Sequence, residues 1–197
     1  MSITAALLAL TLTSQNQTVS FTQVELSLLK KIESIGGSAS VVEEDDHTLL
    51  SLDIENKDKI LDFKSLTGLE RLNAIRVLQG TIKEDSLTTL RKFKKLELLV
   101  IVSNGLTNRG LRQIGKISSL QKLDFKGAKI SKMGLAELSN LRRMKRLFLY
   151  NTEIKDSDLD PLASLTSLNE LCLPTTVTEE GSKNLAKRLP KTAIRRL

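Results

Sequence analysis

The chain has 197 residues, a formal charge of +7, 40% hydrophobic residues, 3% aromatics and no Trp, which suits one compact unit with an aliphatic core. A single Cys, Cys172, and a single His, His47, exclude an intrachain disulfide, a Cys-rich metal site and a His cluster. No stretch of 18 apolar residues marks a membrane span.

Residues 1–20 form a first segment. Ile3–Leu12 is apolar and Thr13–Gln17 is polar. The length suits the h-region of a secretory signal, while the basic n-region and a good cleavage site are missing. The competing reading is an apolar start to the cap that follows. Export or a cell-envelope location is therefore expected only slightly ahead of a cytoplasmic one. Asn16-Gln17-Thr18 matches a glycosylation sequon, a single match of little weight.

Residues 21–47 read as an N-terminal cap. Phe21, Val24, Leu28, Ile32 and Ile35 recur at helical spacing, and Gly36-Gly37 stops the helix. Ser38–Val42 alternates like a strand, and Glu43-Glu44-Asp45-Asp46 is expected to be a solvated turn. His47 beside it is read as a solvated turn residue rather than a pH sensor.

Residues 48–177 repeat. The pairs Ile75/Val77, Leu99/Ile101, Leu123/Phe125, Leu147/Leu149 and Leu171/Leu173 recur every 24 residues, and Leu52/Ile54 precedes the first by 23. Such a period marks a stack of one small unit. The alternation predicts a short strand. Apolar residues at spacing three before each pair, such as Leu87, Leu90, Phe93 and Leu96, predict a short helix or 3₁₀ turn with one buried stripe. Gly80, Asn104-Gly105, Gly127 and Asn151 supply turns, and Asp85-Ser86, Thr107-Asn108, Ser131 and Asp156-Ser157 suit helix starts, with Pro161 in a first turn. Residues 178–197 read as a C-terminal cap: Thr178 starts a helix to about Leu189, Pro190 stops it, and Ala193–Arg195 adds a short strand.

The stretches LELLVIVSNGLTNRGLRQIGKISSLQKLDFKGAKI and LRRMKRLFLYNTEIKDSDLDPLASLTSLNELCL resemble leucine-rich repeats of the pattern L-x-x-L-x-L-x-x-N/T-x-I. The spacing is similar to that of the cysteine-containing subclass and of internalin-like bacterial envelope proteins, over roughly residues 48–180. The resemblance implies an α/β solenoid, with parallel strands on the concave face and short helices on the convex face. It implies no particular partner, because this fold hosts many. The Asn that ladders along many such solenoids occurs only at Asn104; Gly80, Ala128, Thr152 and Thr176 stand at the equivalent positions. An incomplete interior ladder is expected.

If the paired residues point inward, the alternating ones make three outward rows. The first is Ser51, Ala74, Leu98, Lys122, Arg146, Glu170; the second is Asp53, Arg76, Val100, Asp124, Phe148, Cys172; the third is Glu55, Leu78, Val102, Lys126, Tyr150, Pro174. Six strands make a face about 24 Å wide. Leu78, Leu98, Val100 and Val102 form an apolar patch, and Phe148 and Tyr150 an aromatic one, with Arg76, Lys122, Asp124, Lys126 and Arg146 among them. Apolar anchors beside Arg and Tyr have the composition of a protein interface. The competing reading is that these residues only stabilise strands or meet another subunit.

Charge is uneven. Residues 83–146 hold 16 basic and 5 acidic residues, whereas the first 82 hold 7 and 11. Arg91, Lys92, Lys94, Lys95, Lys116, Arg142, Arg143 and Lys145 recur just before the strands, so they should line one edge. Such an edge suits an acidic protein, nucleic acid or an anionic membrane; equally, cations at helix ends offset the dipole and aid solubility. Nucleic acid is disfavoured, since an aromatic stacking platform is nearly absent. Cys172 is expected to be a half-buried, unreactive thiol.

No Gly-rich phosphate loop, nucleophile elbow or acid–base carboxylate pair is found, so no enzyme, cofactor or metal is expected. The expected function is protein binding on the concave face, with the basic edge as the alternative. Self-association is open.

Overall fold

The computed structural model describes residues 11–13, 18–20, 27, 30, 33, 36–44, 47–103 and 105–196. Within the expected cap helix, Ser27, Lys30 and Glu33 are helical. Its apolar residues Phe21, Val24, Leu28, Ile32 and Ile35 lie outside the described residues, as do most of Ile3–Leu12, Asn16-Gln17, Asp45-Asp46 and Asn104. Gly36 adopts φ 81° and its N–H donates to Glu33 O at 3.0 Å, a backbone state that favours glycine.

Two short strands, β1 (Thr11–Thr13) and β2 (Thr18–Ser20), pair antiparallel. The remaining strands form one sheet in chain order. They are β3 (Gly37–Glu44), β4 (His47–Leu61), β5 (Ala74–Ile82), β6 (Leu98–Val102), β7 (Lys122–Lys126), β8 (Arg146–Tyr150), β9 (Glu170–Leu173) and β10 (Ala193–Arg196). β3 is antiparallel to β4, and every later pairing is parallel. Two expectations change here. Glu43 and Glu44 belong to β3, and Glu44 pairs with His47, so these three residues extend the hairpin. β4 also runs past Ile54 to Leu61, because β5 is long enough to pair with it again at Thr81 and Ile82.

The register carries the 24-residue period into space. Leu52, Ile75, Leu99, Leu123, Leu147 and Leu171 lie side by side, and Ile194 of β10 continues the row. These residues, Ile194 apart, are fully buried, as are Phe125 and Leu149 in the second inward row. Each such side chain removed from water contributes about 1.5–3 kcal/mol. Because one repeat meets only its neighbours, the core is one continuous, mainly aliphatic column that also holds Phe63, Phe93 and Phe125.

The other layer is helical. It comprises 3₁₀ segments Phe63–Leu66, Glu84–Lys92, Asp156–Asp158 and Asp160–Ser164, and α-helices Asn108–Ile114, Lys132–Ala136 and Glu179–Arg188. Aliphatic residues at spacing three are buried under the sheet, as in Leu87 and Leu90 or Leu111 and Ile114. Leaving the sheet requires tight turns after β7 and β8, where Gly127 and Asn151 adopt φ of 76° and 48°, while Gly80, φ 112°, sits at the register shift within β5.

Side chains also link successive helix starts. Glu84 accepts from Thr107 N at 2.6 Å and Gly110 N at 3.0 Å. Asn108 accepts from Ser131 N at 2.9 Å, and Asp156 accepts from Thr178 N at 2.8 Å. These bonds satisfy the orphan N–H groups of the next helix start. One step differs: Lys132 replaces the acceptor, and Asp158 of the following repeat accepts from Lys132 N at 3.0 Å. At the position equivalent to Asn104, exposed Thr176 donates its Oγ1 hydrogen to Ile154 O at 2.6 Å, a partial substitute for an Asn.

Candidate partner-binding face

The outward rows exist, but they differ in depth. In the first row Ser51 and Ala74 are fully buried, Leu98 is 3% exposed and Lys122 8%. Leu98 packs with Ala74 and Val100 as a small cluster on the outer side of the sheet. Lys122 lies in register between Leu98 and Arg146, which flank its stem. Leu98 and Lys122 therefore lie on the floor of this face. Arg76, Val100, Asp124, Arg146 and Phe148 are half-buried and present partial surface.

The third row is interrupted. Glu55 pairs with Gln79, so Leu78 slips out of register with its neighbour strand. Leu78, Val102 and Tyr150 remain half-buried, Lys126 is exposed, and Pro174 is buried. Leu78 and Val102 instead help line a groove of about 620 Å³ at the C-terminal ends of the strands, with Gly80, Lys126, Gly127 and Lys129. This groove was not foreseen. Its signal was present in the periodic turn residues Gly80, Gly127 and Asn151, whose positive φ bends the chain away.

Carboxylates on the face are engaged by Arg one strand away. Arg76 Nε and Nη2 donate to Asp53 at 2.6 and 2.5 Å, a bidentate pair that Ser51 Oγ supports at 3.0 Å. Arg146 donates to Asp124 at 3.4 and 3.3 Å. The same guanidinium lies 5.2 Å from the centre of the Phe148 ring. Phe148 and Tyr150, two residues apart on one face of β8, meet edge-to-face with centroids 5.4 Å apart. Asp124, Arg146, Phe148 and Tyr150 thus form one rigid cluster.

Tyr150 and Cys172 are electrostatic neighbours on adjacent strands. Burial, then the neighbouring Cys172, raises Tyr150 above its ordinary value; burial, then Glu170, raises the Cys172 thiol. Both groups are neutral near pH 7. Cys172 is 4% exposed.

The cations expected along the basic edge precede their strands in chain order. Arg91, Lys92, Lys94, Lys95, Lys116, Arg142, Arg143 and Lys145 are all exposed. None of them makes an ion pair among the described residues. The helical layer contrasts with this edge. There Arg109–Asp85, Arg112–Glu137, Lys132–Asp160 and Arg188–Asp160 pair between repeats. Among the described residues no group of three or more His, Cys, Asp or Glu could hold a metal, and no helix is long and apolar enough to cross a membrane.

No family model matches this sequence, and no curated protein matches it. Solved structures do. Internalin C2 of Listeria monocytogenes matches with a TM-score of 0.56 at 20% identity, covering 72% of this chain and 59% of that one. A second internalin of that organism gives 0.44 at 20% identity, over 74% and 53%. A leucine-rich-repeat protein of Leptospira interrogans gives 0.38 at 16% identity, over 74% and 48%. The chain thus spans about three-fifths of the internalin C2 structure, and the likeness is one of fold.

Proposed function

We propose that this chain, a leucine-rich-repeat protein resembling the internalins in fold, is a non-enzymatic module that binds a protein partner on its concave sheet face. The observation that carries this reading is the Arg146–Phe148–Tyr150 cluster, aromatic surface held rigid by an ion pair and an edge-to-face contact. A rigid aromatic anchor loses little entropy on binding; fully burying an exposed Phe is worth about 1.5–3 kcal/mol, and half-buried Phe148 gains the part of that which its remaining exposed surface supplies. An exposed ion pair contributes only about 0–1 kcal/mol, so the anchors set affinity and the charges set specificity and on-rate.

The test uses a displayed library of random 16-residue peptides selected on the wild-type protein. Selected peptides are expected to lose at least about tenfold in affinity on Phe148→Ala and on Val100→Asp. Thermal melting must show that both variants stay folded. Peptides bound equally by both variants would reject the concave face.

A second reading rests on the eight edge cations, which make no ion pair among the described residues. There, binding of an acidic or polyanionic surface would survive Phe148→Ala. It would fail on charge reversal at Arg142 and Arg143, and in high salt. The apolar run Ile3–Leu12 supports an exported or envelope location slightly over a cytoplasmic one; the mass of the mature N-terminus tests it.

A further inference from the structure

The basic edge and the aromatic cluster meet on one strand. Arg142, Arg143 and Lys145 lead into β8, Arg146 begins it, and Phe148 and Tyr150 follow on the same face. From Lys145 to Tyr150 the chain advances about 17 Å. Along that line the surface changes from cationic to aromatic.

The positive charge at the start of this line is not offset locally. The outward carboxylates Asp53, Asp124 and Glu170 are each bound by an Arg of the sheet: Arg76, Arg146 and Arg195. The helical-layer acids Asp85, Glu137 and Asp160 are likewise engaged. Glu97, just before β6, and Glu70, one repeat before Lys94, are acidic groups beside the edge, each at least one strand from Arg142 and Arg143. Lys94 and Lys95 lie two strands from Arg142 and Arg143, about 10 Å away, comparable to the screening length of about 8 Å at physiological salt. The two clusters act as one field.

We propose that the partner of the concave face is a protein segment with Asp and Glu residues at one end and apolar residues at the other. It lies along β8 with its acidic end over Arg142, Arg143 and Lys145 and its apolar end against Phe148 and Tyr150. This rests on the concave-face reading and names the partner's chemistry. A membrane surface would engage the edge alone, and two aromatic rings on one strand make only a small stacking platform for a nucleic-acid strand.

The same peptide library decides it. Selected peptides are expected to carry grouped Asp and Glu separated from aromatic or aliphatic residues. Synthetic copies should bind Arg142→Glu/Arg143→Glu/Lys145→Glu at least tenfold more weakly at 0.15 M salt, and should lose binding when their acids are replaced by Lys. Phe148→Ala should weaken them separately. Selected peptides without acidic bias that still depend on Phe148 would overturn this inference and leave the concave-face reading standing. Acidic peptides indifferent to Phe148→Ala would overturn both. So would binding of phosphatidylserine vesicles or an oligo-dT strand with no peptide selected.

Discussion

Gly181 lies against the carboxylate of Asp156, so close that a Cβ on Gly181 would overlap Cγ and both oxygens. The carboxylate is held there by Thr178, whose N–H donates at 2.8 Å and whose hydroxyl donates at 2.5 Å. The same pairing recurs between Gly110 and Glu84 and between Gly134 and Asn108. Where the repeat has Asp158 in place of this glycine, it has Lys132 in place of the acceptor. The glycine makes room for the side chain that caps its own helix from the previous repeat.

Gly→Ala inside a helix usually stabilises by about 1 kcal/mol. At Gly181 the sign should reverse, since the added methyl must displace Asp156 and break the cap. A loss of about 1–3 kcal/mol is expected. In an Asp156→Ala background Gly181→Ala should become neutral or stabilising. Denaturant midpoints of the four proteins form the cycle that measures this.

The Thr178 bonds hold Asp156 below its ordinary carboxylate value of 3.8. A folded-state value below the unfolded one means that the contribution is complete above the unfolded value and is lost as pH falls through the folded one. The melting-temperature difference between wild type and Asp156→Asn should therefore be constant from neutral pH to about 5. It should shrink below about pH 4. A difference that grows on acidification would contradict the assignment.

Leu147 and Phe148 are adjacent and point to opposite sides of β8. Leu147 is fully buried in the aliphatic column, whereas Phe148 is half-buried on the outer face. Leu147→Ala should cost about 2–5 kcal/mol of stability. Phe148→Ala should cost less, with its main effect on binding. Chemical denaturation of the two variants checks the direction of every side chain on the strand, because a one-residue slip would exchange their roles.

Inward and outward positions were legible from spacing alone. Ile75, Leu99 and Leu147 are buried and Arg76, Val100 and Phe148 face out, because a strand alternates whatever surrounds it. The depth of each outward position was not legible. Leu98 and Lys122 share a row with Arg146, yet only Arg146 keeps substantial exposure. What differs is the neighbours, and neighbours belong to other repeats.

The interval of 24 residues, carried by aliphatic pairs and punctuated by Gly and Asn, determined the stacked unit, its strand faces and the basic edge, because local sterics and burial act the same way in every copy. Only the tertiary structure decided that Arg146 joins Asp124 to Phe148, that Leu78 leaves its row for a groove, and that Asp156 caps a helix 22 residues away. The ion pair to Asp124 and the cap by Asp156 cross between repeats. Their existence depends on register and side-chain reach over distances of a few ångströms, which spacing along one chain does not encode.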